Sequence, residues 1–410
     1  MGAMMEARVD SRPLVSIVVP VYNNANYLPE CLESILAQTY RNWDCTIVNN
    51  CSTDGSGDVG RRYAAKDPRI RVLDNDRFLR AVPNHNNALR QISPASKYCK
   101  IVFADDWIFP RCIEEMVSLA EENPSVGVVG AYGLWEIVRG ASHEFAVMLG
   151  TGLPYPARLI PGRDVCRRMF LRELYLFGTS TSVLYRSDLV RDKDPFYNES
   201  NIHADIEACV VLLKKWDFGF VHQILTYNRG RAEALSMMSV DMQIDFACRL
   251  HTLTMHGPDF LTADELKACQ NKILSGYYNF LAVSAMRIRR DKKFWEIHKR
   301  KLHETVGFSR GRLARAVLAR TCRMVLNPYE TLEKLRPPKA YPSAVLKTAG
   351  AMSLMARFPI TGLAAGRKRV LGLSLHQAID HRAGWRRVTG IASIEVVAHW
   401  RAGLAQLLRR

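Results

Sequence analysis

The segment Tyr98–Pro110, with the sequence YCKIVFADDWIFP, decides the class of fold. Its apolar run Ile101–Phe103 lacks the alternation of a half-exposed strand, so residues 98–104 are predicted to form a strand covered on both faces. Asp105 and Asp106 follow that run. Open α/β sheets bind ligands at the carboxyl ends of their strands, and carboxylates there suit a hard divalent cation that neutralises a diphosphate. The two acids could equally do no more than cap the next helix.

Strand and helix patterns alternate on both sides of this segment, which predicts an α/β fold with a mostly parallel sheet, right-handed crossovers and flanking helices. The predicted strands are Leu14–Val21, Trp43–Val48, Ile70–Leu73, 98–104, Val126–Ala131 and Val183–Tyr185, and the predicted helices include Tyr27–Ala37, Val82–Ile92 and Arg111–Glu122. Residues 20–23, 49–54 and 104–107 should then line one crevice.

The region 140–178 is rich in Gly, Pro and Arg and is predicted to form loops that lead to a helix near Val165–Leu174. It is either a connecting segment or part of an acceptor surface. From Val240 to Glu304 the apolar residues recur three and four positions apart, which predicts a helical extension.

The charge of the chain is concentrated in its C-terminal part. Residues 1–250 contain 28 Lys and Arg against 30 Asp and Glu, whereas residues 251–410 contain 29 against 10. A basic region of this size favours a phosphate-bearing partner such as an anionic lipid, a phosphorylated carrier or a nucleic acid. No aromatic-interleaved basic motif is present, so we expect no nucleic acid.

The ten cysteines include no CxxC pair, and we expect them to be reduced core residues in a reducing compartment. The first residues contain no apolar run typical of a secretion signal. No apolar stretch is long enough to span a membrane, because charged residues interrupt the best candidate, Ala344–Leu363. The prediction is a cytoplasmic protein, either soluble or peripheral on the cytoplasmic face of a membrane.

Four motifs occur in order: VSIVVPVYNN, IVNNCSTDGS, NHNNAL and FADDW. Together they resemble the family-two inverting glycosyltransferases of the GT-A fold, and the resemblance covers about residues 13–235. It implies transfer of a sugar from a nucleotide diphosphate sugar to a hydroxyl acceptor, with Mg²⁺ or Mn²⁺ on the diphosphate. It also implies roles for individual side chains. The residues implied to contact the donor are Pro20, Tyr22, Asn23, Asn50, Asp54, Asn86 and Asp105, and the implied metal ligands are Asp105 and Asp106.

The sequence departs from the family pattern at two places, the end of the second strand and the start of the acidic motif. Asn49 and Asn50 stand where paired acids usually end the second strand, and their amides can still bind a base through hydrogen bonds. Phe103 stands where the first acid of the commoner Asp-x-Asp-Asp pattern would fall, and it cannot ligate a metal. The ligands of the cation would then be Asp105, Asp106, the diphosphate and water. We therefore expect the protein to bind the cation weakly when no nucleotide is present.

The resemblance assigns the catalytic base to Asp205, within His203–Glu207 at the start of a predicted helix in Asn198–Trp216. Inverting transfer needs one carboxylate that takes the proton of the attacking hydroxyl. Alternatively, Asp205 and Glu207 only stabilise the helix N-terminus. The segment that contains His222, Arg229 and Ser236 lies near the usual closing loop of the family, without an assignable metal-binding histidine.

Residues Arg312–Leu326 form a predicted amphipathic helix with four arginines in one arc. It could lie on an anionic membrane or be an ordinary solvated helix. The predicted domains are a tail (1–12), a nucleotide-sugar-binding half (13–135), an acceptor-side half (136–240), a helical extension (241–335) and a basic helical tail (336–410).

The predicted function is synthesis of a cell-surface polysaccharide or glycolipid on a glycan or lipid-linked acceptor. The alternatives are a non-catalytic binding or scaffold protein on the same fold and a nucleotidyltransferase. The latter usually has a Gly-rich loop with a basic residue after the first strand, and this chain has Val21-Tyr22-Asn23-Asn24 there.

Overall fold

A computed structural model describes residues 12–139, 142–150, 152–230, 244–287 and 292–326. The strands in these ranges are β1 (Val15–Val21), β2 (Trp43–Asn49), β3 (Ile70–Asp74), β4 (Tyr98–Ile101), β5 (Trp107–Ile108), β6 (Val126–Arg139), β7 (Ser142–Met148), β8 (Leu159–Ile160), β9 (Val183–Arg186) and β10 (Asp217–Asn228). The helices are α1 (Leu28–Leu36), α2 (Ser56–Ala64), α3 (Ala81–Leu89), α4 (Cys112–Glu122), α5 (Gly162–Leu171), α6 (Ser187–Arg191), α7 (Ala204–Leu212), α8 (Asp245–His256), α9 (Ala263–Arg287), α10 (Lys292–Thr305) and α11 (Arg310–Leu326).

One mixed sheet organises the α/β part of the molecule, in the strand order β3-β2-β1-β4-β9-β6-β10-β5, with β7 paired to β6 and β8 to β10. The strands β3, β2, β1 and β4 are parallel, as the alternating pattern predicts. All seven residues of β1 are buried, which explains why they are apolar except for Ser16. The carboxyl ends of these strands form the edge at which the predicted crevice lies.

The sheet departs from the prediction at β9, which runs antiparallel to both β4 and β6. The strand β4 also ends at Ile101 instead of continuing to residue 104. Beyond it, the Phe103 amide donates to Thr181 Oγ1 at 3.1 Å instead of to a strand partner. Because Phe103 is no longer paired with a neighbouring strand, the chain turns at residues 104–106, and this turn contains both acids.

The prediction of loops for residues 140–178 is wrong at its start. The strand β6 runs on to Arg139 and pairs with β7 through the register Gly133↔Met148 to Arg139↔Ser142. The predicted helix near Val165 is present as α5. The strand β10 has no counterpart among the predicted strands, although it is the central partner of β6.

The C-terminal helices form a core of their own, as the helical periodicity predicts. Buried side chains of α8, α9 and α10, among them Leu250, Tyr277, Leu281 and Phe294, pack into one cluster. The helix α11 covers this cluster with partly buried side chains and buries no residue fully. All ten cysteines are free, and seven of them are buried, as expected for reduced core residues.

Candidate active site

The loops that follow β1 and β2 are joined by hydrogen bonds at the carboxyl edge of the sheet. The Ala25 amide donates to Asp54 Oδ2 at 2.8 Å, and the Thr53 amide donates to Asn23 Oδ1 at 2.9 Å. Asn23 has φ of 49°, a left-handed conformation that asparagine tolerates better than most residues. Burial raises the pKa of Asp54, but hydrogen bonds from Ser56 and Ala25 outweigh it and lower that pKa. Asn23 and Asp54 therefore fix the shape of this edge.

An exposed aromatic pair stands at the same edge. The ring centroids of Tyr22 and Phe78 lie 4.9 Å apart, and the two side chains are 46% and 55% exposed. Exposed aromatic faces of this kind can stack on a planar base. Pro20, two residues before Tyr22, is buried within β1.

The structure places Asn50 inside a network of amides. Its side chain is 2% exposed. It donates to the Leu79 carbonyl at 2.8 Å and accepts from the amide of Leu79 and the side chain of Asn75, both at 2.9 Å. Asn49 donates to Asp74 Oδ1 at 2.6 Å. Asn49 thus holds the end of β3 and Asn50 holds the segment after it, and most of the hydrogen-bonding capacity of Asn50 is used within the protein.

The side chain of Asn86, on α3, is also buried and hydrogen-bonded to neighbouring backbone. Its amide exchanges two hydrogen bonds with the Tyr197 backbone, at 2.8 and 2.9 Å, and it is 1% exposed. Its neighbour His85 packs on Phe103 with 4.9 Å between ring centroids. Burial lowers the pKa of His85 to about 4, so this ring is neutral at physiological pH. Phe103 therefore has an aromatic partner where the family pattern has an acid.

The two acids of the turn after β4 have different surroundings. Asp106 is 5% exposed and accepts from Thr181 Oγ1 at 2.8 Å, Asn228 Nδ2 at 3.0 Å and the Arg229 amide at 3.0 Å. Burial raises the pKa of Asp106, and the nearby charge of Asp105 raises it further. The side chain of Asp105 is only half-buried. Asp106 thus anchors the turn, while Asp105 is the more accessible carboxylate.

Arg229 joins this turn to the start of α1. Its guanidinium forms an ion pair with Glu30 and donates from Nε to the Asp105 carbonyl at 2.9 Å. The Arg229 side chain is 7% exposed, and its guanidinium lies 4.8 Å from the ring centroid of Tyr27. The residue directly after β10 therefore fixes the backbone that presents Asp105.

A buried lysine supports the other side of the turn. Lys100 on β4 is fully buried, and its ammonium donates to the carbonyls of Thr181 and Val183 at 2.7 and 3.0 Å. Burial lowers the pKa of Lys100. A buried cation costs free energy unless it is well hydrogen-bonded, so its two carbonyl partners must be held firmly. These contacts orient Thr181, whose hydroxyl donates to Asp106.

Asp205 lies in the first turn of α7. Burial raises the pKa of its carboxyl, and neither the charge of His203 nor the hydrogen bond from the Ile206 amide, at 2.8 Å, cancels that rise. A carboxylate with a raised pKa is a better proton acceptor than an ordinary one. Asp205 lies close enough to Tyr197 that its charge adds to burial in raising the pKa of that tyrosine.

A single turn of 3-10 helix, Ser180–Ser182, connects the two acidic regions. Ser180 Oγ lies 3.0 Å from the hydroxyl of Tyr197, the tyrosine whose pKa the charge of Asp205 raises, and the following residue, Thr181, donates to Asp106. Ser180 and Thr181 therefore link Asp106 to Tyr197, on whose pKa the charge of Asp205 acts.

Glu207, two residues after Asp205, has the opposite character. It is 7% exposed and accepts from Asn198, Asn201 and His256, the last at 3.0 Å, while His251 Nε2 lies 3.7 Å away. Burial raises the pKa of Glu207, but hydrogen bonds from these histidines and asparagines outweigh burial and lower that pKa well below its usual range. Glu207 therefore stays ionised and joins α7 to α8.

The remaining predicted positions do not converge on a metal. Both ring nitrogens of His222 have protein partners, the Tyr132 hydroxyl at 3.0 Å and the Ala157 carbonyl at 2.7 Å. Ser236 lies outside the described residues, as does the proposed tail 336–410. Within the described ranges, no group of three or more His, Cys, Asp or Glu side chains is placed to hold a metal ion.

Three residues of this site were missed in the sequence: Lys100, Thr181 and Asn228. A lone lysine in an otherwise apolar strand was the signal for Lys100, because a buried charge requires partners. Thr181 and Asn228 carried no comparable signal, because their roles depend on β9 and β10 lying beside β4 and β5.

The fold matches that of known GT-A glycosyltransferases. The structure of S. aureus TarS 1-349 in complex with UDP-GlcNAc superposes with a TM-score of 0.52 and 16% sequence identity, over 71% of this chain and 80% of TarS 1-349. At this identity the likeness concerns the fold. It confirms a GT-A-like sheet with a helical C-terminal part.

The family is shown by sequence. The model of glycosyl transferase family 2 matches residues 16–176. EpsE of Bacillus subtilis, to which glycosyltransferase activity is ascribed, is 33% identical over 233 residues, which cover 55% of this chain and 81% of EpsE. The chain belongs to glycosyl transferase family 2.

Other relatives match over a shorter segment. Glycosyltransferase GlyG of Streptococcus pneumoniae is 35% identical over 119 residues, which are 29% of this chain and 39% of GlyG. Glycosyltransferase GlyA of the same organism is 34% identical over 118 residues, again 29% of this chain but 16% of GlyA. The chain thus spans well under half the length of these two relatives.

Proposed function

We propose that this protein is an inverting glycosyltransferase that moves a sugar from a nucleotide diphosphate sugar to a hydroxyl group of a glycan or lipid-linked acceptor. The observation that carries this proposal is that one turn, Ser180–Ser182, donates to Asp106 through Thr181 and contacts Tyr197, whose pKa the charge of Asp205 raises. A donor-binding acid and a proton acceptor can then act on one substrate complex. Membership of glycosyl transferase family 2 supports the same reaction.

The donor would bind across the carboxyl edge of β1 and β2. Tyr22 and Phe78 offer aromatic faces for the base, and Asn23 and Asp54 hold the loops on which that pocket depends. The structure of Asn50 and Asn86 supports an indirect contribution for these residues, because their amides bind neighbouring backbone.

A divalent cation fits this site only together with the donor. A carboxylate has about four lone-pair sites, and Asp106 already accepts three hydrogen bonds, so little of its capacity is left. Asp105 would be the main protein ligand of Mg²⁺ or Mn²⁺, with the diphosphate and water as the others. Such a cation would neutralise charge on the departing diphosphate.

The chain's own residues then perform two tasks. Asp205, as general base, takes the proton of the acceptor hydroxyl as that oxygen attacks the anomeric carbon from the side opposite the diphosphate. Asp106, Thr181 and Arg229 keep the acidic turn in one position, so that the donor is held in line for that attack.

The basic C-terminal part is proposed to hold the enzyme at an anionic membrane, where a lipid-linked or growing glycan is available. The five arginines of α11, with no acidic residue in that helix, support this role. Within the described residues, no helix combines the length and apolar character needed to cross a bilayer. Full membrane binding by a variant that lacks residues 305–410 would disprove this part of the proposal.

The test is a panel of nucleotide sugars, with and without Mn²⁺, scored by thermal stabilisation and slow donor hydrolysis. We expect one donor to stabilise the protein in the presence of metal and to be hydrolysed slowly. With an acceptor, nuclear magnetic resonance of the anomeric proton should show inverted configuration. If no donor has any effect, the alternative of a non-catalytic binding or scaffold protein is favoured.

A further inference from the structure

A polar groove lies between α9 and α11, in the helical part of the molecule and apart from the acidic turn. Its volume is about 330 Å³. Volumes of about 300 to 1,000 Å³ are typical of small-molecule sites. It is lined by Asn271, Leu274, Ser275, Tyr278, Asn279, Arg312, Arg315 and Ala316.

The two walls of the groove offer complementary polar groups. On α9, Asn271, Ser275 and Asn279 are spaced four residues apart and therefore form one row along the helix. On α11, Arg312 and Arg315 are one turn apart. The lining contains amides, hydroxyls and guanidinium groups and no carboxylate, so the groove offers many donors to an anion.

The arginines of the groove are not neutralised by the described part of the chain. Neither Arg312 nor Arg315 forms an ion pair with a described carboxylate, and α11 contains no acidic residue. Arg315 Nε has only a 3.4 Å contact with the Gly311 carbonyl of its own helix. Planar guanidinium groups in this state suit bidentate binding of phosphate.

The floor of the groove is rigid. Leu274 and Tyr278 are 6% and 3% exposed and belong to the helical core. The Tyr278 hydroxyl accepts a hydrogen bond from the Ser309 amide at 2.7 Å, just before α11 begins. The position of α11 relative to α9 is therefore maintained without a ligand, which lowers the ordering cost of binding.

Apolar side chains stand exposed on the adjacent side of α11. Leu318, Val325 and Leu326 are 64%, 72% and 77% exposed. Leu318 is one turn after Arg315, so an apolar surface borders the cationic groove. Cationic groups beside exposed apolar side chains are typical of helices at a lipid interface.

We propose that this groove binds the phosphate group of a lipid headgroup. The proposal deepens the membrane association and lipid-linked acceptor proposed above, and it rests on that function. It assigns recognition of the phosphate to Arg312 and Arg315, with the α9 row donating to the remaining headgroup oxygens. The remaining arginines of α11 would contribute only general electrostatic attraction.

The experiment is vesicle co-sedimentation of the full chain with phosphatidylcholine alone or with phosphatidic acid, at fixed ionic strength. We expect binding only with phosphatidic acid. Replacing both groove arginines, Arg312→Gln and Arg315→Gln, should weaken it about tenfold or more. Arg320→Gln with Arg323→Gln removes the same charge from the same helix outside the groove and should weaken binding less than threefold. Ser275→Leu, which fills the groove at constant charge, should resemble the groove variant.

Two results would contradict binding of a lipid phosphate in the groove. Equal losses in the two double-arginine variants would show diffuse attraction and overturn the groove. Glucose 1-phosphate should compete with the vesicles, whereas glucose should not. Binding of glucose 1-phosphate without any vesicle binding would show that the groove binds a soluble phosphate and would overturn the proposal that its ligand is a lipid. Asp105→Ala should leave vesicle binding intact while losing the donor response, which separates failure of the groove from failure of the proposed transferase reaction.

Discussion

The acidic turn after β4 and the first turn of α7 each contain a pair of acids, and the pairs are built alike. Asp106 and Glu207 are buried and accept three or more hydrogen bonds. Of the other two acids, Asp105 is only half-buried, and Asp205 accepts a hydrogen bond from the Ile206 amide at 2.8 Å. In each pair, we interpret the acid that accepts several hydrogen bonds as the one that stabilises the fold. The other acid is the candidate for binding or catalysis.

The two pairs differ in what holds the structural member. Asp106 is held by a threonine, an asparagine and a backbone amide, which do not titrate. Glu207 is held partly by His256, with His251 nearby. As pH falls, Asp106, whose pKa burial raises to about 7, should therefore lose its charge before Glu207, whose pKa its hydrogen bonds lower.

The largest predicted effect concerns Asp205. Asp205→Asn should lower kcat about 10³-fold, because the attacking hydroxyl loses its proton acceptor. Donor affinity should stay unchanged. Since burial raises the pKa of Asp205, the wild-type rate should begin to fall, as pH decreases, above the ordinary aspartate value of 3.8. Steady-state kinetics over pH check this, and a variant that keeps both the rate and the acid limb would exclude Asp205 as base.

The matching test within the first pair compares Asp105→Ala with Asp106→Asn. The Asp105 variant should lose metal-dependent stabilisation by donor altogether. The Asp106 variant keeps the shape of the side chain and should weaken donor and metal binding about tenfold, because Asp106 acts by positioning the turn. Titration with Mn²⁺ in the presence of donor measures both. The reverse order of effects would make Asp106 the principal ligand.

Replacement of Glu207 should act on stability and not on chemistry. Glu207→Gln should lower the free energy of unfolding by about 2 to 3 kcal/mol, because buried donors lose an ionised acceptor. The lowered pKa of Glu207 means that its stabilisation is present above the ordinary value of 4.5 and is lost as pH falls below it. Urea unfolding at pH 7 and pH 4 should show a smaller pH dependence in the variant. Unchanged stability with lost turnover would give Glu207 a catalytic role.

The smallest effect is expected at Lys100. Lys100→Met should cost about 1 to 2 kcal/mol of stability, because two carbonyls lose their donor while the volume is kept. Thr181→Val removes the hydroxyl that reaches Asp106. If both act through one turn, the effects of the two changes on donor affinity should be less than additive in the double variant. Full additivity would show that Lys100 does not position Thr181.

The parallel half of the sheet was predictable because local patterns determine it. The predicted strands Leu14–Val21 and Trp43–Val48 are largely apolar and are separated by an amphipathic helix, and the structure confirms them as β1 and β2. The convergence of residues 20–23, 49–54 and 104–107 followed from the parallel order of the strands. The acidic turn could be located for the same reason.

The second half was less predictable because its structure depends on pairings distant in the chain. β7 is a strand through its pairing with β6, and β10 lies between β6 and β5, which are far from it in sequence. The pattern around Asp205 and Glu207 could not distinguish the two acids. Only the positions of Asn198, Asn201 and the α8 histidines, known from the structure, identify Glu207 as the structural member.

The most direct test of the division between the acid pairs measures donor binding and turnover in the same four proteins: wild type, Asp105→Ala, Asp205→Asn and Glu207→Gln. Isothermal titration with the identified donor and Mn²⁺ gives binding, and single-turnover rates with acceptor give chemistry. We predict that Asp105→Ala loses binding, Asp205→Asn binds normally but does not turn over, and folded Glu207→Gln does both. Normal turnover by Asp205→Asn, or lost turnover in folded Glu207→Gln, would contradict the assignment.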